Sequence, residues 1–477
     1  LTEQRATLGK LGLGCGKTAP VCWYVQNNTV KRTLIVSPLH VIDVWLKEFP
    51  KHLLAPVSIW HHGEPFPPSG QILLVPLDKG TMTQKSKAMQ EAFHAYDGQV
   101  VILCSYESSW REPLASHLAA ANFNLLVMDE GHKLQAAGSQ VSWFFKRLGK
   151  TVDKKIALTG TPAPNGPDSV YGLFRALDPS IFGTSHDEFR SKYCIMGGYE
   201  KHQIVGYRNL EEFNRRFNSI TVSVDRSVLH LPKETVIQRT SQLSPSAQKM
   251  YDSMEKDMIA QVGTGVVTAK NAGVKLLRLS QLTGGWLTPE KDMLNDGVVP
   301  VEVDTEKKKL CGEVLDELDI NEPVVIFYRF IRDSESIRDI CKKQGRSYHE
   351  VSGQRSELDE WKKNGQVLGV QISSGSEGID LTKAAYCIYY SVGFSLFQYE
   401  QSTGRINRPG QVRPVTYIQL VMKNTIDEDI YESIAAKKDI VEWVLDKRFR
   451  PEAQPRNLKK GKKKFRVEAK MEYEEHE

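Results

Sequence analysis

A lysine and a threonine behind two glycines, Gly14-Cys15-Gly16-Lys17-Thr18, and two adjacent carboxylates, Asp129-Glu130, are the residues of this 477-residue chain with the most specific chemistry. A glycine turn lets successive backbone N–H groups converge on phosphate oxygens at a helix N-terminus, where the dipole adds favourable charge. Gly14 and Gly16 would give that close approach. Lys17 would supply a point charge to the terminal phosphates of a nucleoside triphosphate, and the Thr18 hydroxyl one magnesium position. The general pattern asks for a small residue five positions before Gly16, where this chain has Leu11. The bland alternative is a glycine turn ahead of an ordinary helix. Cys15 reads as a spacer between glycines or as a reactive thiol.

Asp129-Glu130 follows Leu125-Leu126-Val127-Met128, an apolar run that predicts a strand buried on both faces. Carboxylates at the carboxyl end of a parallel strand face the crevice where α/β proteins bind ligands. There Asp129 can hold magnesium, and Glu130 can orient and deprotonate an attacking water. Two acids that merely open a solvated loop are the competing reading, which Lys17 weakens. Near the far end, Gln401-x-x-Gly404-Arg405-x-x-Arg408-x-Gly410-Gln411 offers two guanidinium groups, which suit the charge spread over a transferring phosphoryl group.

These groups need strands and helices to hold them. Strand-like runs at 33–37, 100–105, 125–128 and 156–158, then at 324–328, 368–372, 387–392 and 415–421, alternate with helix-length stretches and predict two parallel α/β sheets. Between them, from about Asp168 to Leu282, the pattern reads as mainly helical. Ser244-Pro245 opens one helix, and Met250, Tyr251, Met254, Met258 and Ile259 recur at helical spacing as a packing stripe. A long helix is expected over 426–445. The expected domains are 1–230 with a helical insertion from about 168, a helical insertion and linker at 231–305, a second sheet domain at 306–450, and a charged tail at 451–477.

Hydrophobic residues make up 40% and charged residues 25%, values of a soluble globular enzyme, and the length calls for two or three domains. The seven scattered cysteines suit reduced thiols and give no zinc spacing. No apolar run approaches the roughly 18–20 residues of a membrane span and no cleavable leader is visible, so the expectation is a soluble intracellular protein without a membrane partner. The net charge of +5 is uneven: eight basic residues face one acid between Arg456 and Lys470, and the last seven residues carry four acids. That tail reads as a solvated segment, as extra phosphate affinity or as a nuclear address.

Further motifs extend the pattern. Leu34-Ile35-Val36-Ser37-Pro38-Leu39 with Trp45-Leu46-Lys47-Glu48-Phe49, then Ser105-Tyr106-Glu107, Leu158-Thr159-Gly160-Thr161-Pro162-Ala163-Pro164-Asn165 and Ser374-Gly375-Ser376-Glu377-Gly378-Ile379-Asp380-Leu381 occur in that order. In this set the chain resembles helicase superfamily two, specifically the Swi/Snf-type DNA-dependent ATPases and translocases, over about residues 10–445. The resemblance implies two RecA-like parallel-sheet P-loop domains with helical insertions between them, clamping one ATP and Mg2+. Lys17, Thr18, Asp129 and Glu130 would come from the first domain, and Arg405 and Arg408 from the second as arginine fingers in cis. It implies coupling roles for His132, Thr159, Thr161 and Gln401, and a nucleotide-side approach for Gly378 and Asp380. Ser37, Pro38, Ser105, Ser374 and the segment from Phe327 to Phe330 would contact the phosphates of double-stranded DNA without reading bases.

The expected activity is therefore a helicase-like, nucleic-acid-stimulated ATPase that translocates on duplex DNA, remodelling bound proteins or annealing strands. An ATPase acting on RNA is the alternative within the superfamily, with RNA or branched DNA as the alternative partners to duplex DNA; a catalytically silent nucleic-acid-binding scaffold is the alternative outside it. Trp143, Trp286 and Trp361 read as packing residues before base-stacking ones. The resemblance also implies an adenine-sensing glutamine well upstream of the phosphate loop. Gln4 is too close to serve, and with Leu1 in place of methionine the expectation is a truncated N-terminus.

Overall fold

The computed structural model describes residues 4–12, 14–160, 162–163, 166–197, 203–263, 269–287, 300–373 and 379–436. Its strands in chain order are β1 (Ala6–Leu11), β2 (Arg32–Ser37), β3 (Val57–Ile59), β4 (Ile72–Pro76), β5 (Gln99–Ser105), β6 (Leu125–Asp129), β7 (Lys154–Thr159), β8 (Cys194–Gly197), β9 (Gln203–Tyr207), β10 (Thr221–Val224), β11 (Glu234–Ser241), β12 (Trp286–Leu287), β13 (Val301–Glu302), β14 (Val324–Tyr328), β15 (Tyr348–Val351), β16 (Val367–Gln371), β17 (Tyr386–Tyr389) and β18 (Val415–Met422). An eight-stranded sheet runs β10-β1-β7-β6-β2-β5-β4-β3 and a six-stranded sheet β11-β18-β17-β14-β16-β15. The first is parallel throughout, and β14 to β18 pair in parallel in the second.

The central strands are long apolar runs because helices cover both of their faces. Leu34, Val36 and Leu126 face one apolar cluster, while Ile35, Leu125 and Val127 face another that contains Trp45 and Phe49. The register aligns the strand ends: Ser37 lies opposite Ser105, and Asp129 opposite Leu158. Chemistry-bearing residues at the carboxyl ends of β1, β2, β5, β6 and β7 thus share one edge.

The stretch from Asp168 to Leu282 is less uniformly helical than its pattern suggests. It carries the antiparallel hairpin β8–β9 and supplies an edge strand to each sheet, β10 to the first and β11 to the second. Six of the eight β11 residues are exposed, so no apolar run announces that strand. An aromatic cluster built on Phe174, Phe182, Phe189 and Phe213 fills this part of the fold.

The chain packs as two units, residues 1–241 with 305–421 and residues 242–304 with 422–477. The first holds both large sheets. The second holds the helices Pro245–Gly263, Ala269–Thr283 and Ile426–Ala435. Within it the buried Tyr251 hydroxyl accepts from the Ile426 N–H at 2.8 Å, and Thr283 Oγ1 donates to Asp427 Oδ1 at 3.1 Å. The expected helix over 426–445 is described to Ala435; the rest of it, and the charged tail, lie outside the described residues. No helix among the described residues is long and apolar enough to cross a membrane.

Candidate nucleotide and nucleic-acid site

β1 ends at Leu11, and the turn that follows leads into the helix Ala19–Asn27, with Thr18 at its N-cap. Gly14 and Gly16 have φ of +86° and +69°, a left-handed region that glycine enters without strain. At Gly14 a Cβ would sit 2.9 Å from Pro409 Cδ, so the turn also presses against the arginine-bearing segment of the second sheet. The Thr18 hydroxyl makes no capping bond. Cys15 is partly exposed and its thiol points to the Asp225 carbonyl; burial pushes its pKa up, against a reactive thiolate.

Lys17 reaches across to the carboxylates. Its Nζ donates to Glu130 Oε1 at 2.7 Å, with the two side chains 16% and 15% exposed. Burial works to raise the Glu130 carboxyl, but the Lys17 charge and a His132 contact outweigh it and hold it well below its ordinary value. Burial, then the neighbouring Glu130 charge, pushes Asp129 up to about 6 against the pull of Lys17. The Asp129 carboxylate is oriented from two sides: Oδ1 accepts from the Glu130 N–H at 2.9 Å and Oδ2 from the Trp45 indole at 3.0 Å. Glu130 adopts φ 50°, a left-handed conformation that costs a non-glycine residue on the order of 1 kcal/mol. Such strain concentrates at functional sites.

His132 is buried, with Nδ1 3.3 Å from both Glu130 Oε2 and Thr159 Oγ1. Its ring lies edge-on to Phe397, centroids 4.7 Å apart, on the helix Leu396–Ile406 that also carries Gln401 and Arg405. Gln401 is buried. Arg405 is close enough for its charge to act on Lys17, and Arg408 Cβ lies 3.7 Å from a Cβ built on Gly14. The lysine, both carboxylates and both arginine-bearing positions thus converge. Arg408 also donates to the Ile379 carbonyl at 3.5 Å. Asp380, beside it, is exposed and accepts from its own loop at Thr382 N, 3.1 Å away. Thr161, Ser374 and Gly378 lie outside the described residues.

The expected nucleic-acid residues line the same edge but are not presented outward. Ser37, Pro38 and Ser105 are buried, with Ser37 Oγ turned to the Pro38 carbonyl at 3.1 Å and Ser105 Oγ to Ser108 Oγ at 3.1 Å. In the second sheet, Arg329 leaves β14 stacked over Phe394 at 4.5 Å, and its Nη1 is buried without a hydrogen-bond partner among the described residues. Burial lowers its pKa to about 10 against the Asp333 charge, so it remains a cation at neutral pH. Trp361 is fully buried and Trp143 is 48% exposed, with Arg175 over its ring at 4.7 Å. Sequence reasoning missed Phe397 and the hydrogen-bonding role of Trp45. Trp45 had a signal, since it lies in a motif already noted; Phe397 had none, because its contact joins segments far apart in sequence.

Known proteins bear on this arrangement. The family of the SNF2-related domain matches residues 14–293, and the helicase conserved C-terminal domain matches residues 306–410. Protein p41 of Acyrthosiphon pisum secondary endosymbiont phage 1 is 24% identical over 464 residues, 91% of this chain and 93% of that protein. The chromodomain-helicase-DNA-binding protein 1-like of Danio rerio is 25% identical over 435 residues, 87% of this chain but 39% of that protein. In fold, the Hef helicase domain of Pyrococcus furiosus is similar at a TM-score of 0.52 and 15% identity, over 90% of this chain and 95% of that one. Since the first of these family matches spans more than half of its residues, the chain belongs to the SNF2-related family.

Proposed function

We propose that this chain is an ATP-hydrolysing motor that couples hydrolysis to movement along duplex DNA. The observation that carries the reading is the convergence of Lys17, Asp129 and Glu130 beneath Arg405 and Arg408, groups contributed by both sheets. Relatives named as ATP-dependent helicases in Bacillus subtilis and Mycoplasma pneumoniae support ATP as the substrate. Relatives named for DNA binding and for DNA repair and recombination support DNA as the track.

The residues fit a magnesium nucleotide. Magnesium is held by one or two carboxylates or hydroxyls together with substrate phosphates, and the Asp129 carboxylate with the uncommitted Thr18 hydroxyl is such a donor pair. An ion held there would supply positive charge that offsets the charge of the phosphates. Lys17 exchanges its bond to Glu130 for phosphate oxygens, and the Glu130 carboxylate so released orients and deprotonates the attacking water. Arg405 and Arg408 stabilise the charge that spreads over the transferring group. His132 reports that change through Thr159 and Phe397 to the helix carrying both Gln401 and Arg405. On the DNA side, hydroxyl and cationic donors at the strand ends grip backbone phosphates without base readout, so affinity should fall steeply as salt rises.

Phosphate release with and without duplex DNA tests this. Stimulation by duplex is expected, with loss of turnover in Lys17→Ala and a decrease of about a thousandfold or more in Arg405→Ala. Equal rates with and without DNA would falsify the translocase reading. Stronger stimulation by duplex RNA would move the motor to an RNA track.

A further inference from the structure

Two buried side chains with no part in the chemistry above reach Asp129 from the segments expected to face DNA. The Trp45 indole N–H donates to Asp129 Oδ2 at 3.0 Å, and the Tyr106 hydroxyl donates to the Asp129 main-chain carbonyl at 2.9 Å. Trp45 stands on the helix Ile42–His52, which follows Ser37-Pro38; Tyr106 opens the short helix Tyr106–Ser109, capped by Ser105. Each serine-bearing segment therefore sends one hydrogen bond to the carboxyl end of β6. Burial, then the Asp129 charge, raises the Tyr106 hydroxyl well above its ordinary value, so it stays a donor.

The Tyr106–Ser109 turn has a second end. Lys85 Nζ donates to Ser108 Oγ at 3.0 Å, Ser105 Oγ donates to the same atom at 3.1 Å, and the Ser108 N–H returns to Ser105 Oγ at 3.2 Å. The Ser108 hydroxyl accepts twice. Its own proton and two of the three ammonium protons of Lys85 find no acceptor among the described residues. Lys85 is 5% exposed and has no carboxylate within ion-pair distance among them. A buried cation without counter-charge is costly, and the spare donors beside it would be completed by an oxyanion. Tyr106 is itself the first residue of that turn and packs edge-on against Phe145, centroids 5.6 Å apart.

We infer that Tyr106 and Trp45 are positioning residues through which a DNA backbone phosphate, bound at the Lys85–Ser108 cluster, sets the geometry of Asp129 and so the affinity for nucleotide. This rests on the DNA-motor reading. Coupling of this kind is reciprocal: whatever factor DNA applies to nucleotide affinity, nucleotide applies to DNA affinity.

The test is the equilibrium affinity of the full chain for a non-hydrolysable ATP analogue, with and without duplex DNA, in the wild type, Tyr106→Phe and Trp45→Phe. Tyr106→Phe removes a single oxygen and keeps the ring packing, which guards against a folding defect in the bulkier change. The wild type should bind the analogue more tightly with DNA, by a factor of ~5–150. In both variants that ratio should fall toward one. A purely structural role would instead lower the melting temperature and leave the ratio intact, and an intact ratio in both variants overturns the inference. A wild-type ratio of one overturns the inference, while the motor reading stands or falls separately on phosphate release with and without duplex DNA. Lys85→Met keeps the buried stem and removes the charge; it should reduce the slope of log affinity for duplex against log salt by about one phosphate contact, ~0.9. An unchanged slope overturns the phosphate placement. If inorganic phosphate alone tightens analogue binding as duplex does, the cluster is a free-anion site and its assignment to DNA is overturned.

Discussion

Lys17 and Glu130 neutralise each other at 2.7 Å, so the candidate phosphate-binding cation and the candidate base are engaged together. In the proposed mechanism a bound triphosphate would break that pair, which would make release of the base depend on the substrate that needs it. Glu130→Gln should separate the two roles. Phosphate release should fall by about 10²–10⁴, the usual contribution of a general base. Nucleotide affinity should rise, because Lys17 no longer has a carboxylate to leave. A fluorescent nucleotide titration beside a turnover assay reads both, and weaker binding in the variant would show that the ion pair supports the phosphate loop instead of competing with phosphate. Lys17 stood out in the sequence through its glycine turn, and Asp129 and Glu130 through their place after an apolar run. Trp45, Tyr106 and Phe397 were not, since an aromatic residue that donates one hydrogen bond or makes one ring contact has the same sequence signature as one that only packs.

The central strands were legible at the scale of elements for a related reason. β2, β5, β6 and β14 are apolar on both faces, and that burial writes a continuous run into the sequence. β1 contains Gly9 and Lys10, β3 spans three residues and β11 is mostly exposed, so pairing with neighbouring strands formed them without an apolar run to announce it. The contact of the helix Tyr171–Leu177 with the turn Gly131–Leu134 was equally invisible, yet it supports the site. Gly172 lies so close to that turn that an added Cβ would sit 2.0 Å from the Leu134 carbonyl oxygen and 3.1 Å from Ser142 Oγ. Backbone cannot yield as a flexible side chain can, so Gly172→Ala should destabilise the fold by ~1–3 kcal/mol, the range for overpacked cores. Because Leu134 ends the turn that begins after Glu130, turnover should fall as well, at temperatures where the variant is still folded. Thermal melting and phosphate release on one preparation check it; an unchanged melting temperature would mean that the helix shifts freely away from the turn.

Across the whole molecule, the two large sheets are joined by the connection that leaves β10, and that connection also touches both halves of the candidate site. Arg226 donates to the Asn407 carbonyl at 2.6 Å and lies 3.5 Å from Glu234 Oε1. Asn407, between Arg405 and Arg408, donates to the Pro232 carbonyl at 3.1 Å and to Glu234 Oε1 at 2.7 Å. On its other side, Arg226 Cγ is 2.8 Å from a Cβ built on Gly12, at the root of the phosphate loop. One arginine therefore ties the loop that would hold phosphate to the segment that carries both guanidinium groups. A bond to a charged donor is worth ~1.5–3 kcal/mol, and 1.4 kcal/mol is about a tenfold change in an equilibrium between closed and open arrangements. Arg226→Ala should shift that equilibrium toward separation. Leu54 and Val412, 97% and 86% exposed, offer labelling positions as Leu54→Cys and Val412→Cys, since six of the seven native cysteines are buried. Energy transfer between the dyes should drop in nucleotide-free Arg226→Ala and recover with a bound ATP analogue. Turnover should fall, because in the proposed mechanism Arg405 and Arg408 would act only when the sheets meet, while analogue affinity should change less, because Lys17 and Thr18 remain on the first sheet's side. Identical transfer efficiency with and without Arg226 would mean that contacts such as His132 with Phe397 hold the two halves together unaided.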